Sequence, residues 1–473
     1  MGSRTGGGQH VIIIGAGAAG TLAAAHLLRS GAPGDPPFSL SLVDSAPQAG
    51  RGVAYGTVDE RHLLNVPAGR MSAYADAPGH FVRWLAERAG LRDASSEYVP
   101  RLQFGRYLAD VLTEATLVAK PHVDLRYIRE RAVGVRPAAM GVRVALRGGE
   151  TLRGDALVLA PGNPPGQSSW APQTLRESPA FVSAPWAAGA LDALPQDTDL
   201  LLVGTGLTMV DVAIGAARPG RHVHAISRRA LLPLPHAPAP VTAPPPVIDG
   251  LPDIASLRRA VLRHIAACRR EHGDWRAGID SLRTLTARLW QGLEPESQLT
   301  FLRDHLRMWD VHRHRIPPRT AAALGNIIAS GLLSVGSGEV ARAVQEGPGL
   351  LVTLTDGRSL HVGAVVDCTQ PDPVVARSAD PLLRSLLASG LAQAGPHGIG
   401  LATGPDGRLL SGGDGRKPPV WTLGPTRRGS LLETTAVPEI RAQAAEVAGA
   451  VAALLRAGAS GRPPIPAAMP TPA

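Results

Sequence analysis

The chain has 473 residues, 44% of them hydrophobic, which is enough for two or three domains with their own cores and excludes a disordered chain. The formal net charge is +9, but the 46 arginines are scattered along the chain, which favours anionic small ligands and argues against a nucleic-acid partner. Two cysteines, Cys268 and Cys368, lie 100 residues apart, which excludes a dithiol redox motif and favours a cytoplasmic location.

A glycine-rich turn follows the first predicted strand, about His10–Gly15, and precedes a helix predicted to run to about Ser30. Glycine permits a tight turn and lets backbone N–H groups approach a pyrophosphate at the helix N-terminus. The apolar stretch 11–28 is better explained by this turn than by a signal peptide, and no apolar run is long enough to span a membrane. The predicted binding residues are Gly15, Gly17, Ala18, Ala19 and Gly20.

The second predicted strand, Ser39–Asp44, ends in an acid 29 residues after Gly15. An acid about 20 residues beyond the turn usually binds a ribose hydroxyl of the dinucleotide. The Gly- and Pro-rich loop 31–37 accounts for the longer interval here. We therefore predict that Asp44 binds the first ribose, with a solvated loop carboxylate as the alternative.

Three segments after the second strand are predicted to approach the same dinucleotide. Glycines in 49–57 allow the backbone close to the adenosine and pyrophosphate, and an Asn before a Pro in 62–68 could face the other ring system. Polar side chains in 99–107 lie near the same pocket. The alternatives are a plain turn for 62–68 and surface salt bridging for 99–107. The candidate residues are Arg51, Gly52, Val53, Asn65, Arg101 and Gln103.

An internal repeat links the two halves of the chain. Residues 141–152 and 349–360 align at a constant offset of 208, and each reads as a hairpin with a Gly-containing turn. Each hairpin leads into a buried strand, Ala156–Ala160 or Ala364–Cys368, and then a polar turn, which in the first copy includes Gly162. We predict two Rossmann-like units, each closed by a small antiparallel meander and a final strand.

A second glycine turn lies 189 residues after the first, in the sequence LLLVGTGLTM at 200–209. Two such turns predict two dinucleotides, a flavin and a nicotinamide, and hence redox chemistry. Met209 stands where Gly or Ala is usual, which is expected to loosen the packing of helix on strand. The predicted binding residues here are Gly204, Gly206, Leu207 and Thr208.

The strand that follows, about His222–Ile226, ends in Ser-Arg-Arg rather than in an acid. Hydroxyl and guanidinium groups suit a 2′-phosphate, whereas an acid would bind a free 2′-hydroxyl. Arg228 and Arg229 therefore predict NADPH over NADH. The alternative is a solvated arginine pair at a strand end.

Residues 233–330 differ in pattern from both units. A Pro-rich loop leads into apolar positions at helical spacing over 257–268, 282–289 and 302–306. We predict a helical insert that shapes a substrate cavity, with an oligomer contact as the alternative. Its last stretch, Trp309–Arg315, carries cation-capable side chains suited to an anionic substrate or the NADPH phosphate, although its histidines are more often structural.

These stretches resemble a family of bacterial FAD/NAD(P)-binding proteins that includes flavin-dependent urate hydroxylases and flavin-dependent aspartate N-monooxygenases. The matching stretches are Gly15–Gly20, Gly50–Thr57, His62–Ala68, Val99–Tyr107, Leu159–Pro165, Gly204–Gly206 and Leu423–Gln443. Within the last of these, the resemblance implies a second flavin contact, with a turn at Gly424 and a helix that starts near Pro438. The apolar periodicity predicts that this helix ends at about Leu455.

The resemblance implies an α/β fold with two Rossmann-like dinucleotide-binding domains, one for FAD and one for NADPH, each with a small antiparallel β-meander, plus the helical insert. The expected divisions are 9–165 and 372–460 for FAD, 196–232 and 331–371 for NAD(P)H, 233–330 for the insert, and a flexible tail at 461–473.

The expected activity is FAD- and NADPH-dependent monooxygenation by O2 of a small anionic nitrogen-containing substrate. Urate hydroxylation is favoured because the chain lacks a long extra domain. The alternatives are an aspartate-type amino-acid N-hydroxylase, a flavin reductase that passes electrons to a partner, and a non-catalytic nucleotide-binding regulator. No metal-ligand cluster or catalytic side-chain set emerges, no membrane association is expected, and oligomer formation is compatible with the sequence.

Overall fold

A computed structural model describes residues 8–31, 35–119, 123–163, 167–248, 250, 253–412 and 417–459. The tail predicted to be flexible, 461–473, lies outside this described part. Among the described residues, no helix is both long and apolar enough to cross a bilayer.

The strands and helices are as follows. In chain order the strands are β1 (Gln9–Ile14), β2 (Phe38–Val43), β3 (Val123–Ile128), β4 (Ala132–Pro137), β5 (Val142–Leu146), β6 (Thr151–Gly154), β7 (Ala156–Leu159), β8 (Phe181–Val182), β9 (Leu200–Val203), β10 (Val223–Ser227), β11 (Leu333–Ser337), β12 (Val340–Glu346), β13 (Gly349–Leu354), β14 (Ser359–Val362), β15 (Ala364–Asp367) and β16 (Val420–Thr422). The helices are α1 (Ala18–Arg29), α2 (Gly52–Tyr55), α3 (His80–Arg88), α4 (Arg101–Ala119), α5 (Gln173–Arg176), α6 (Leu207–Ala216), α7 (Ile254–His272), α8 (Arg276–Ser281), α9 (Thr286–Gly292), α10 (Pro295–Thr300), α11 (Leu306–Arg313), α12 (Pro318–Ala329), α13 (Pro381–Ala388) and α14 (Val437–Ala459).

The first sheet is parallel, in the order β16-β7-β1-β2-β3. Strands β1 and β7 carry continuous apolar runs because both of their faces are covered, one by helices and the other by the β4-β5-β6 strands and α13. On one face α1 and α14 pack together with α4, and they bury residues such as Leu22, Leu108 and Val447. Because β16 comes from the far end of the sequence, residues 420–459 complete the domain that begins at β1.

The second sheet is also parallel, in the order β11-β10-β9-β15-β8. It contains the second glycine turn between β9 and α6. The edge strand β8 lies outside the ranges 196–232 and 331–371 predicted for this unit. The sequence did not predict it because a strand of two residues is too short to show alternation. Met209 does not sit at a loosened contact: its side chain is fully buried in the core between α6 and the sheet.

Each Rossmann-like unit carries the predicted antiparallel meander. The first is β4-β5-β6 and the second is β12-β13-β14, and each leads directly into a parallel strand, β7 or β15, that pairs with the strand before the glycine turn. Helix α13 packs on β4 of the first meander, where Ser385 Oγ donates to Val135 O at 3.0 Å. The internal repeat of the sequence is thus a repeat of structure.

The insert between the two halves of the second unit is helical, as predicted, although its segments differ in detail. The stretch 282–289, expected as one helix, consists of a 3₁₀ turn at Leu282–Thr284 and the first part of α9, and it directly follows α8. The one expected over 302–306 is part of a longer run of α10, a π-helix at Phe301–His305 and α11. Such π-helices interrupt regular packing and are frequent near functional sites.

Candidate functional site

Both glycine turns have a backbone that only glycine accommodates. Gly15 has φ +94°, and a Cβ there would lie 2.1 Å from the carbonyl oxygen of Ala160, just beyond β7. Gly204 has φ +104°, and its Cβ would lie 2.6 Å from the carbonyl oxygen of Cys368, just beyond β15. The two turns are therefore equivalent, each held against the end of the parallel strand that follows its meander.

The helices that follow the turns begin without side-chain caps. The N-cap residues are Gly17 for α1 and Gly206 for α6, and neither supplies a capping hydrogen bond. By contrast, Asp253 caps α7 by accepting from Ala255 N and Ser256 N, and Asp380 accepts from Leu382 N at the start of α13. The N–H groups at the start of α1 and α6 can therefore donate to phosphate oxygens, which the positive end of the helix dipole also favours.

Space at these two N-termini also suits a pyrophosphate. Among the described residues, a Cβ on Gly17 would meet only Gly52 Cα, at 3.6 Å, and a Cβ on Gly206 would meet nothing within 4 Å. Gly20 is different, because its Cβ would lie 1.8 Å from the carbonyl oxygen of Gly15 and thus prevent α1 from packing. Gly17 and Gly206 therefore leave ligand space, whereas Gly20 is required by the fold.

Asp44 lies directly beyond β2 at the first glycine turn. Its Oδ2 accepts from Ala16 N at 2.6 Å and its Oδ1 accepts from Ala46 N at 2.8 Å. The carboxylate is thus next to the predicted ribose position, but here it holds the turn and its own loop. The alternative of a freely solvated carboxylate does not describe this geometry.

The predicted contacts in 49–57 surround the first turn. Gly50 N donates to Ala16 O at 2.8 Å, and a Cβ on Gly52 would lie 3.0 Å from Gly17 Cα. Arg51 is the N-cap residue of α2, whereas Val53 projects outward and is 69% exposed. The glycines of this segment are close to the turn. Because its side chain is exposed, Val53 could contact the dinucleotide only through its backbone.

The two residues predicted from 99–107 have separate surroundings. Arg101 forms an ion pair of 2.8 Å with Asp211 on α6, and the exposed fractions of the side chains are 17% and 7%. This is neither a surface salt bridge nor a cavity contact but a link between the two Rossmann-like units. Burial raises the pKa of Asp211 even though Arg101 opposes the shift. Gln103 is half-buried in the first turn of α4.

The turn beyond β10 holds Arg228 and Arg229, both exposed, as a role in binding a 2′-phosphate requires. A third arginine, which sequence reasoning missed, reaches the second glycine turn from the insert. The guanidinium of Arg307 on α11 donates to Thr205 O at 3.2 Å and also to Leu231 O. Its sequence position, about 100 residues from the turn, gave no signal of this contact.

A cavity of about 870 Å³ lies between the first Rossmann-like unit, the Pro-rich loop and the insert. Residues of the insert line this cavity, and its use by a substrate stays a prediction. The turn containing Asn65 lines one wall, and α11 with the following residues lines another. The residues from the predicted stretch 309–315 that reach it are Trp309, Asp310, Arg313, His314 and Arg315. His312 does not reach it: it packs on Trp275 and its Nδ1 donates to Met308 O.

A hydrogen-bonded chain fixes the wall that contains Asn65. His236 Nε2 donates to Asn65 O at 2.9 Å, and His236 Nδ1 accepts from Arg315 Nε at 3.3 Å. Arg315, which is 2% exposed, also binds both oxygens of Asp280 at 2.6 Å. Burial and then the Arg315 charge lower the pKa of His236 to about 4, so the ring is neutral at physiological pH.

Two further arginines of the cavity wall are fully paired. Arg313 binds Glu433 through two hydrogen bonds of 2.9 and 3.0 Å, and Arg283 binds Glu439 through two of 2.6 and 2.7 Å. Both pairs join the insert to the segment before and within the first turn of α14. These arginines hold the cavity wall together and are not free to bind an anion.

Arg428 is the exception among the buried arginines of the wall. It lies in the loop after β16, lines the cavity, and has no carboxylate oxygen within 4.0 Å among the described residues. Burial lowers its pKa, although a guanidinium stays protonated at any physiological pH. A charged group in this position is stabilised when an anion binds beside it.

Asp310 is a cavity carboxylate without an arginine partner at contact distance. Its closest ionisable neighbour in the described chain is His314, whose Nε2 lies 3.8 Å from Asp310 Oδ1. Burial raises the pKa of Asp310 to about 6, with Arg428 and Arg307 opposing the shift and Glu433 adding to it. Burial and the surrounding arginines lower the pKa of His314 to about 3, so that ring remains neutral.

The last predicted cofactor contacts lie around the start of α1. A Cβ on Gly424 would touch the Cβ of Ala19 at 3.6 Å, and Gln443 Oε1 accepts from Gly424 N at 2.9 Å. Gly162 lines a small cleft that reaches Arg428. Pro438 is the second residue of α14, so the helix begins as predicted, although Pro438 does not line the large cavity.

Comparisons with known proteins support the same arrangement. Residues 12–164 match the profile of a family described as FAD-NAD(P)-binding. A search of curated proteins finds no match. The structure of reduced ornithine hydroxylase from Pseudomonas aeruginosa is similar with a TM-score of 0.62 and 17% identity, over 95% of this chain and 100% of that one.

Two other solved structures are similar over almost their whole length. L-lysine 6-monooxygenase from Pseudomonas syringae has a TM-score of 0.61 and 18% identity, over 93% of this chain and 98% of that one. Ornithine N-hydroxylase from Kutzneria sp. 744, with reduced FAD, NADP+ and L-ornithine, has a TM-score of 0.59 and 16% identity, over 94% and 99%. The chain thus shares the fold of these three enzymes, and the family match over residues 12–164 covers most of the first Rossmann-like unit.

Proposed function

We propose that the chain is an FAD- and NADPH-dependent N-hydroxylase that oxygenates an amine of a small substrate bearing a carboxylate. In the overall reaction, the amine, O2, NADPH and a proton are converted to the hydroxylamine, water and NADP+. The observation that carries the proposal is a cavity walled by the FAD/NAD(P)-binding domain and the insert, with the unpaired guanidinium of Arg428 facing into it.

The proposal assigns a ligand to each glycine turn. FAD occupies the α1 turn, with residues 9–165 and 372–460 around it, and NADPH occupies the α6 turn, with 196–232 and 331–371. Bound flavin supplies the redox chemistry with NADPH and O2. The protein supplies the uncapped N–H groups at Gly17 and Gly206 for the two pyrophosphates, and the walls that keep water from the substrate.

The choice of N-hydroxylation over urate hydroxylation rests on the similarity of fold to amino-acid hydroxylases. Urate was favoured because the chain lacks a long extra domain. That argument does not discriminate, because the ornithine and lysine hydroxylases are matched over 98–100% of their own chains. Their similarity favours the amino-acid N-hydroxylase alternative, and urate becomes one of the substrates to be tested.

Arg428 is proposed to bind the substrate carboxylate. We expect Arg428→Met to raise the KM for the amino-acid substrate about tenfold to a hundredfold while the flavin spectrum is unchanged, since a charge-assisted pair in a desolvated site is lost. Steady-state kinetics with the purified holoenzyme measure the effect. Arg70→Met is the matched control, because Arg70 lines the same cavity but is exposed. Equal KM values for both variants would place the carboxylate elsewhere.

The proposed 2′-phosphate contacts give a second expected result. Changing both Arg228 and Arg229 to Ala should raise the KM for NADPH about tenfold and leave the KM for NADH unaltered, because only NADPH carries the 2′-phosphate. Arg342→Ala, an exposed arginine of the same unit, is the control. An equal change for both nucleotides would show that the pair has no part in the choice between them.

The experiment that tests the function uses the purified yellow protein, NADPH and air. NADPH oxidation, peroxide and product mass are followed with L-aspartate, L-ornithine, L-lysine and urate. Faster NADPH oxidation together with a hydroxylamine product from an amino acid supports the proposal. Oxidation that yields only peroxide, or electrons that pass to an acceptor without oxygen insertion, contradicts it and favours the reductase alternative.

A further inference from the structure

The carboxylates that line the cavity differ in how far they are neutralised. Asp280 is bound by both of its oxygens to Arg315, and Glu433 is bound in the same way to Arg313. Asp372, at the cavity edge, pairs with Arg377 at 3.2 Å. Within the described chain, Asp310 is the cavity carboxylate that has no guanidinium within 4.0 Å.

Asp310 and Arg428 are therefore complementary. Both face the same cavity from different elements, Asp310 from α11 and Arg428 from the loop after β16. Among the described residues, Asp310 has no guanidinium and Arg428 no carboxylate within 4.0 Å, and each shifts the pKa of the other without forming an ion pair with it. One unpaired positive and one unpaired negative group in a shared cavity match a zwitterion.

We propose that Asp310 binds the ammonium group of the substrate while Arg428 binds its carboxylate, and that Asp310 accepts the ammonium proton. The substrate is accordingly an α-amino acid, and its α-nitrogen is the atom that is oxygenated. This inference rests on the proposed N-hydroxylation and adds to it the substrate class and a residue for the proton.

The proton step is simple. An N–H bond of the ammonium breaks, an O–H bond forms at an Asp310 oxygen, and the electron pair remains on nitrogen as the lone pair needed to attack an oxygen donor. The Asp310 proton is then released to solvent before the next turnover. A protonated amine has no lone pair, so an acceptor close to the nitrogen speeds the reaction.

The acidity of the two groups favours the α-amine over a side-chain amine. The pKa of Asp310 is about 6. An α-amino group whose neighbouring carboxylate charge is neutralised, here by Arg428, has a pKa of about 8, and a lysine-type amine has one of about 10, so proton transfer is opposed by roughly 2 units in the first case and 4 in the second. Burial of the ion pair narrows both gaps, because desolvation lowers the pKa of an ammonium and raises that of a carboxyl.

The charges around Asp310 define its response to pH. Arg307 and His314 face it from its own helical segment, and Arg428 and Glu433 face it from the 424–436 loop. The arginines remain charged, and His314 is neutral above its pKa of about 3. Lowering the pH through 6 therefore protonates Asp310 itself and removes the negative charge that holds the ammonium.

Equilibrium binding to the oxidised holoenzyme tests the inference without turnover. Flavin absorbance or calorimetry gives the Kd for two ligand pairs that differ in the α-amine: L-aspartate with succinate, and L-ornithine with 5-aminopentanoate. In the wild type at pH 8, the better amino acid should bind at least about tenfold tighter than its deamino analogue, because a desolvated ion pair is lost. This preference should fall to near unity at pH 5.

Substitutions of Asp310 test whether it is the residue that binds the ammonium group. Asp310→Asn should bind both members of each pair equally at pH 8, and Asp310→Glu should restore part of the preference. Asp372→Asn is the control and should keep the full preference. The wild-type pH titration needs no variant, so misfolding of one of them does not prevent the test. A preference that persists in Asp310→Asn, or is absent in the wild type, overturns the inference.

Product analysis separates this inference from the proposed function. If the wild type makes a hydroxylamine and Asp310→Asn makes it with the same pH profile, the function stands and the role of Asp310 falls. If the wild type makes no hydroxylamine but shows the Asp310-dependent preference, the amino-acid site stands and N-hydroxylation falls. Hydroxylation at the side-chain nitrogen of ornithine would overturn the assignment of the α-nitrogen.

Discussion

Replacing Gly17 with Val is expected to abolish FAD binding while the chain remains folded. In the part of the chain that the structure describes, the N–H groups at the start of α1 have no side-chain cap, and Gly52 Cα is the only atom within 4 Å of a Cβ on Gly17. A branched side chain would therefore fill the space for the pyrophosphate rather than displace the core. We expect FAD affinity to fall about a hundredfold or more, or ~2.8 kcal/mol, as measured by flavin retention and titration of the stripped protein.

Two variants are matched to this one. Gly206→Val should leave the protein yellow but weaken NADPH binding, because the α6 turn has the same open geometry. Gly20→Val should prevent folding, since its Cβ would lie 1.8 Å from the carbonyl oxygen of Gly15. Circular dichroism of flavin-stripped samples distinguishes the two kinds of glycine. A Gly17→Val protein that purifies with a full complement of FAD would show that the flavin is bound elsewhere.

The Arg313–Glu433 pair is expected to be the largest single electrostatic contribution to stability in the cavity wall. The exposed fractions of the two side chains are 10% and 9%, and two hydrogen bonds join them. Arg313→Met leaves the carboxylate of Glu433 buried and unpaired, which typically costs about 3–5 kcal/mol. Urea unfolding of flavin-stripped wild type and variant gives the change in the free energy of unfolding.

The controls isolate the buried charge as the cause. Arg303→Met removes an exposed arginine of the same insert, whose partner Asp304 is 43% exposed, and should not change the midpoint measurably. The double variant Arg313→Met, Glu433→Gln should be more stable than Arg313→Met alone, because no lone charge then remains. If Arg313→Met unfolds no more easily than Arg303→Met, the pair is not desolvated.

The parts of the site that the sequence predicted are those governed by local backbone chemistry. The turns at Gly15 and Gly204 were identified because only glycine fits a positive φ next to the end of another strand. The hairpins at 141–152 and 349–360 were identified because alternation and a glycine turn lie within a dozen residues. Strand β8 was missed because two residues carry no periodic signal.

The side-chain partners could not be predicted in the same way. Arg101 was assigned to a pocket or to the surface, yet it pairs with Asp211 on the other Rossmann-like unit, 110 residues away. Arg307 carries no motif, and its contact with Thr205 exists only because the insert folds back over the second turn. Such pairs depend on the packing of distant elements, which spacing along the chain does not encode.

The sequence by itself determined the two dinucleotide-binding turns, the repeated meanders and the helical nature of the insert, because each depends on residues close together in the chain. Only the tertiary structure decided which charges of the cavity are neutralised. Asp310, Arg313 and Arg315 lie within six residues of one another in the sequence. The two arginines form ion pairs with carboxylates of other segments, whereas Asp310 has no arginine at contact distance in the described chain. Burial and the distance to a partner set the pKa of an ionisable group and the energy of its electrostatic interactions. Both are properties of the packed fold.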